Sequence, residues 1–476
     1  MSSLDERLRR LRGGAAEHPA ARDPAAAPLG AAPVAPPLAE RLQRLAPLRA
    51  RPRRPARLTE AELAALLGAE PVAPGVLACC ERLPLDQLHR QLGCPWPPLA
   101  TSTLAALLPE LLPEVSAAVQ PDVHGETSAA GPGVADPAGW RLLDTETSGL
   151  AGGTGTWVFV CGIGSIAAGH LQIHQYLLTR PDAEVALLAC IDAALAGASL
   201  LISFNGKTFD LPLLATRWRL SRTLPAAGRD RTPAAAVDLG PADAARHCPH
   251  AHSGPAAASG LRTLLTADLP HLDLLHPLRR AFARRWPDCR LASAEARLLG
   301  LQRGDDLPGA AAPAAWRDWL QLGDPGRLGA VLRHNRLDLV ALLALLPALV
   351  AVQRDPAAHG ADVLAVARQL RRQGHLTQAR AVLTAAGPDL EAGAALLLAD
   401  LHRQQRDWPA ALAIWRRLAA AGEVRARECL AKYHEHVSGD LASALAHARA
   451  LPASAAREQR CRRLGARLGN GERLVL

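Results

Sequence analysis

The chain has 476 residues, enough for two or three domains with at least one sizeable core, and its formal net charge is +9. No run of 18 or more apolar residues is free of charges or breakers, and "MSSLDERLRRLRGG" has neither an apolar core segment nor a cleavage site, so the reading excludes a membrane span and a secretory signal. Nine cysteines without a CxxC pair fit reduced thiols in a cytoplasmic protein, and the basic excess permits a polyanionic partner without identifying one, because lysine occurs only at Lys207 and Lys432 and the rest is Arg in an Ala, Leu, Arg and Pro background.

Residues 1–57 are rich in Ala, Pro and Arg without sustained periodicity and read as a disordered tail. Within it "LDERLRRL" (4–11) and "LAERLQRL" (38–45) repeat Leu at i, i+4 and i+7, the pattern of short amphipathic helices. Residues 58–138 read as a helical lead-in and linker. Thr59 can cap "EAELAALLGA", while "CCERLPLDQLHRQLGC" and "STLAALLPELL" suggest further helices or turns, and 121–138 is linker-like.

The domain expected over 139–352 begins where the period changes to two. "WRLLDTE", "TWVFVCGIGSI" (156–166) and "HLQIHQYLL" (170–178) predict three strands in an antiparallel meander. A helix over 182–198, a buried strand over 199–205 and a helix over 210–220 follow, giving the order βββαβα and a mixed sheet flanked by helices. Residues 221–262 read as an inserted loop. Its His247, Cys248, His250 and His252 have no standard zinc spacing, so a solvated loop is the expectation. "LDLLHPLRRAFARRW" (272–286) predicts a strand then a helix, and a long helix spans about 327–350. Gly162, Gly164 and Ala167 match G-x-G-x-x-A, but period-two alternation follows instead of a helix, so a hairpin is expected rather than a dinucleotide site. Trp157, Phe159, Trp316 and Trp319 are read as core.

Residues 360–465 predict an all-α region. Leu376/Ala379, Trp408/Ala411 and Leu441/Ala444 recur at intervals of 32 and 33 residues, each a turn, a bulky residue, and a small residue three positions later. The spacing resembles tetratricopeptide-type helix pairs.

The chemistry lies in the acids. Asp144 and Glu146 end an apolar strand and share one face, where two negative charges repel unless they are fully solvated or a cation lies between them. Asp210 follows a strand and starts a helix. Asp338 sits in an apolar helix, four residues after His334 and on its face. Four carboxylates in one cleft suit two Mg²⁺ or Mn²⁺ ions, which activate water and stabilise the leaving oxygen in phosphodiester hydrolysis, with His334 deprotonating or positioning the water. Asn205 fits turn chemistry or a substrate contact, Lys207 reads first as a surface lysine that can also reach a phosphate, and Asp273 is expected to be structural.

"DTET", "NGKTFD" and "HNRLD" together resemble the three motifs of the DnaQ-like DEDD exonucleases in the ribonuclease H-like superfamily. "LDTETSGLAGGTGT", "SFNGKTFDLPLL", "DDLPG" and "VLRHNRLDLVALL" are more closely similar to its bacterial YprB-like branch. The resemblance implies an α/β ribonuclease H-like mixed sheet followed by helical repeats. It implies a 3′–5′ exonuclease on single-stranded DNA or RNA, with Asp144, Glu146, Asp210 and Asp338 as metal ligands and Thr145, Asn205 and Lys207 at the substrate. One departure stands out: three residues separate His334 from Asp338, the interval of the Tyr-type enzymes, so His334 occupies the tyrosine's place. A nucleic-acid substrate and a protein partner on the repeats are the expected partners. The rival is an inactive nuclease fold acting as a scaffold.

Overall fold

Seven strands form one mixed sheet: β1 (Glu70–Ala73), β2 (Val76–Pro84), β3 (Trp140–Thr147), β4 (Val158–Ala167), β5 (His170–Leu178), β6 (Leu200–Ser203) and β7 (His271–Asp273), in spatial order β1-β2-β5-β4-β3-β6-β7. The computed structural model describes residues 58–93, 96–104, 134–149, 153–223 and 269–472, all in a unit spanning 56–476. The expectations for the 1–57 tail, the 121–133 linker and the histidine-bearing loop lie outside the described residues.

β3, β4 and β5 make the expected meander, with β4 and β5 joined through Ala168 and Gly169, both at positive φ (48° and 73°), as a two-residue hairpin requires. β6 and β7 then add in parallel beside β3. Alternation sends Leu142 and Leu143 of β3, and Ile202 and Leu201 of β6, into different apolar cores on the sheet.

The expected helical lead-in is corrected by the structure. After α1 (Glu60–Leu67), capped by Thr59, the chain forms the β1–β2 hairpin, and β2 pairs with the whole of β5, so the lead-in extends the sheet. Gly75 allows the turn. Its φ is +81°, and a Cβ there would lie 2.4 Å from that of Ala183. α2 (Leu85–Leu92) follows directly.

α3 (Glu184–Leu195) connects β5 to β6, and α4 (Asp210–Thr223) runs into the region expected as a loop from 221. α5 (Leu275–Phe282) follows β7. α6 (Leu291–Ala294), continued by a π-helical turn over Glu295–Leu299, and α7 (Ala312–Leu322) lead to α8 (Leu328–Arg354). Phe159 stacks on Trp316 of α7 at 5.3 Å, and the indole N–H groups of Trp316 and Trp319 donate to the carbonyls of Leu178 and Thr179 (2.8 and 2.7 Å), so these rings are core as expected.

α8 is long and apolar enough to cross a membrane by length and composition, which the apolar-run criterion missed, but 78% of its apolar window is buried inside the fold. It is a core helix. Leu339 and Val340 and the residues from Leu342 to Leu346 pack on the sheet side of a core that also takes Val366, Leu370, Val382 and Leu397 from the next helices.

Those helices are α9 (Val363–Arg372), α10 (Leu376–Ala385), α11 (Ala392–Gln404), α12 (Trp408–Ala420), α13 (Val424–Tyr433), α14 (Leu441–Arg449) and α15 (Ala455–Glu472). Leu376, Trp408 and Leu441 each begin a helix, and Ala379, Ala411 and Ala444 are fully buried, so the small residues are where neighbouring helices approach. Each of those three helices starts two residues after a left-handed residue: Gly374 (φ 84°), Arg406 (φ 59°) and Gly439 (φ 71°).

Candidate active site

The site is built where β3 ends, α4 starts and α8 crosses the sheet. Strand geometry puts Asp144 and Glu146 on one face of β3, the face of Leu142. α8 can come this close because β4 carries Gly162 opposite Asp144: a Cβ at 162 would lie 2.2 Å from Asn335 Oδ1 and 2.8 Å from Leu339 Cδ1. Gly162 is therefore a helix-packing glycine inside a continuous strand, and no nucleotide fingerprint is formed.

Asn335, fully buried on α8, fixes Asp144. Its amide nitrogen donates to Asp144 Oδ2 (2.7 Å) and to the Asp144 carbonyl (3.1 Å), and its Oδ1 accepts from Gln175 Nε2 of β5 (2.8 Å). Gln175 also donates to the Leu332 carbonyl (2.7 Å). Thr145, read from the motif as a substrate contact, instead commits its hydroxyl proton to Asp210 Oδ1.

Asp210 is the first residue of α4 and is buried. The loop before it turns at Asn205 (φ 66°) and Gly206, where a Cβ would collide with Ser203 Oγ at 2.3 Å. Buried Asp273 holds this loop by accepting from the backbone N–H groups of Asn205 (2.8 Å) and Lys207 (3.1 Å), the structural role expected for it. The Asn205 side chain is occupied by Thr208 (2.7 Å), and Lys207 is exposed on the loop.

On α8, Asp338 and His334 share a face, with Nε2 of His334 3.8 Å from Asp338 Oδ2. Nδ1 of His334 is 2.7 Å from Asp306 Oδ2. Arg303 lies between these groups. Glu295 grips its guanidinium with both oxygens, and it contacts Asp306 (2.9 Å) and Asp338 Oδ1 (2.5 Å). Sequence reading named neither Arg303, Glu295, Gln175 nor Asn335. Asn335 and Asp306 stood inside the motif stretches "HNRLD" and "DDLPG", the one signal available.

The electrostatics show the acids acting on one another. Burial, then the charges of Asp338, Glu146 and Asp210, push the Asp144 carboxyl well above the usual range. Burial, then Asp338, Asp210 and Asp306, push Glu146 up to about 9. Burial raises Asp210 to about 6 against the opposing hydrogen bond from Thr145. Burial also raises Asp338, opposed by Arg303 and His334. Acids from three separate parts of the chain thus act on one another through a desolvated region.

The donor set fits a hard divalent cation, since it consists of carboxylate oxygens whose repulsion such an ion would relieve. Oδ1 of Asp338 and Oδ1 of Asp306 are buried without a hydrogen-bond partner, the contact of the former with Arg303 being ionic. Among the described residues, however, no three His, Cys, Asp or Glu side chains come together closely enough to hold a metal ion. Asn335 and Arg303 instead hold two of the acids, Asp144 and Asp338.

The sheet order and the crossing helix fit a ribonuclease H-like domain, and comparison with known proteins gives the same class. A family model described as RNase_H superfamily matches residues 142–350, so this stretch is a ribonuclease H-like domain of nuclease type, with a helical region behind it. The chain is also similar to the uncharacterized protein YprB of Bacillus subtilis (strain 168), at 27% identity over 316 residues, which are 64% of this chain and 67% of the relative.

Proposed function

We propose that this chain is a metal-dependent nuclease, a 3′–5′ exonuclease that hydrolyses the ends of single-stranded DNA or RNA. The observation that carries the reading is that α8, seated on Gly162, brings Asn335 onto Asp144 while Thr145 of the same strand holds Asp210. Acids of β3, α4 and α8 thus lie on neighbouring elements, where burial and their charges push the carboxyls up. These four would hold two Mg²⁺ or Mn²⁺ ions, which supply activation of water and neutralisation of the leaving oxygen. Asn335 and Thr145 orient Asp144 and Asp210 by the hydrogen bonds described. Asp306 fixes Nδ1 of His334, leaving Nε2 on the Asp338 side to take a proton from the attacking water. Lys207, exposed on the loop before Asp210, meets a phosphate of the strand.

Incubation of the full chain with end-labelled DNA and RNA strands, with Mg²⁺, Mn²⁺ or chelator, tests this. Metal-dependent shortening from the 3′ end that vanishes in Asp144→Ala is expected. No cleavage with either metal, or cleavage that Asp144→Ala leaves intact, overturns the reading.

The Arg303–Asp338 ion pair favours one other reading, in which the arginine permanently occupies the cation's place and the domain is a scaffold for its helical region. That reading requires that no Mn²⁺ bind in an Asp144-dependent way.

A further inference from the structure

Charge is divided unevenly along the chain. Residues 58–359 contain twenty-four Lys and Arg against twenty-nine Asp and Glu, whereas residues 360–465 contain sixteen against ten. The domain with the acid cluster is thus net negative and would repel a polyanion, while the helical region is net positive.

The positive excess has a shaped outlet. A groove of about 440 Å³ and a second of about 300 Å³ lie against each other on the helical region, sharing Asp400, Trp415 and Cys429 in their walls. The walls come from α9, α11 and α13 with the start and middle of α12. Arg368 and Arg371 of α9, Arg403 of α11, and Arg425 and Lys432 of α13 face the single carboxylate Asp400 there. Asp400 takes up Arg371 (3.0 Å) and Arg403 (2.6 Å), and Lys432 has Glu428 at the rim (2.7 Å). Arg368 and Arg425 are exposed and have no ion-pair partner among the described residues. Half-buried Trp408 and Tyr433, ring centroids 5.1 Å apart and tilted by 48°, stand in the same wall, and Trp415 forms the buried floor.

We infer that this groove binds single-stranded nucleic acid, the phosphates on Arg368, Arg425 and Lys432 and a base against the Trp408–Tyr433 pair. The inference deepens the nuclease reading and rests on it for the choice of polyanion. Arginines along one groove and an aromatic pair beside Lys432 in the adjoining one suit a strand that offers both phosphates and π-faces. An acidic polypeptide would use the cations and leave the rings idle.

The test is fluorescence anisotropy of labelled single-stranded DNA and RNA with the full chain in chelator, so that binding is read without hydrolysis. The expected result is binding weakened at least about 10-fold by Arg368→Glu with Arg425→Glu. The milder Arg368→Gln and Arg425→Gln pair should flatten the plot of log affinity against log salt by about 1.4, near 0.7 for each phosphate no longer neutralised. Tyr433→Ala should weaken binding with no change of that slope. Because the assay contains chelator and reads no hydrolysis, failure of the catalytic reading alone leaves this binding intact. Unchanged binding in the charge-reversed variant overturns the inference. So does polyglutamate that competes as well as the strands do and is equally indifferent to Tyr433→Ala, which would mark the groove as a seat for an acidic protein.

Discussion

Two places in this molecule hold buried carboxylates, and they are managed in opposite ways. In the helical region Glu435, 4% exposed, is surrounded by Arg463 at 2.5 Å, Arg460 at 3.7 Å and Arg467 at 4.0 Å. Where β3, α4 and α8 meet, Asp144, Glu146, Asp210 and Asp338 are desolvated without a matching set of cations: the one arginine present, Arg303, pairs with Asp338 and is already gripped by Glu295. Burying an ion is costly without compensation, so a charge kept for structure comes with its counter-charge built in. An excess of acid left uncompensated makes sense where compensation arrives from outside. The same contrast appears beside the site, where buried Glu184 is matched by Arg217, which holds it with two nitrogens and lies 4.0 Å over the Trp157 ring.

The comparison can be broken most sharply at the acids. Asp144→Ala and Asp338→Ala should each reduce hydrolysis of labelled strands to the uncatalysed background. In chelator at pH 8 Asp144→Ala should melt above the wild type, because it removes a carboxyl that the fold must either keep charged among other acids or protonate at a cost. A melting temperature lower by several degrees would mean that the acids support the fold as Glu435 does. Next in size, Asn335→Leu should weaken Mn²⁺ binding by about 10–100-fold, since it frees Asp144 without removing it. Equal affinity would show that the amide packs α8 on Gly162 and does nothing more.

In the helical region the sign should reverse. Glu435→Ala should destabilise by about 1–3 kcal/mol in urea unfolding, leaving its arginines without a partner, though Arg463 and Arg467 are about half exposed and can turn to water. A stabilised variant would remove the contrast. The smallest effect is in pH. Glu146 and Asp210 have folded pKa values of about 9 and about 6, above the range near 4 of the unfolded chain. Between those limits the folded protein holds protons that the unfolded chain has released. Stability in chelator should therefore fall as pH rises from about 4 to 9, and Glu146→Gln should flatten the upper part of that fall. Melting curves across this range check the slope, and a wild-type curve that rises with pH contradicts it.

Much of this arrangement could be read before the fold was seen, because it is written locally. Period two over β3–β5, the Asn205–Gly206 turn, the Asp210 helix start and the i, i+4 spacing of His334 and Asp338 each need only a few neighbouring residues. The β1–β2 hairpin was hidden because β1 has four residues and β2 runs straight into α2 without a break. Its identity as sheet is fixed by β5, about a hundred residues away. The Gln175–Asn335–Asp144 chain and the Arg303–Asp338 pair were invisible for a similar reason. They join residues 160 and 191 positions apart in the first case, and in the second an irregular segment to mid-helix. Gly162 illustrates both sides: its motif suggested a nucleotide, and only the approach of α8 shows what the missing side chain is for.

Calorimetric titration of Mn²⁺ into the full chain and into Asp144→Ala at pH 8 tests the acid cluster most directly. Saturable binding by the wild type that disappears in the variant is the predicted result. Heat traces that are flat for both proteins, or the same for both, would contradict it.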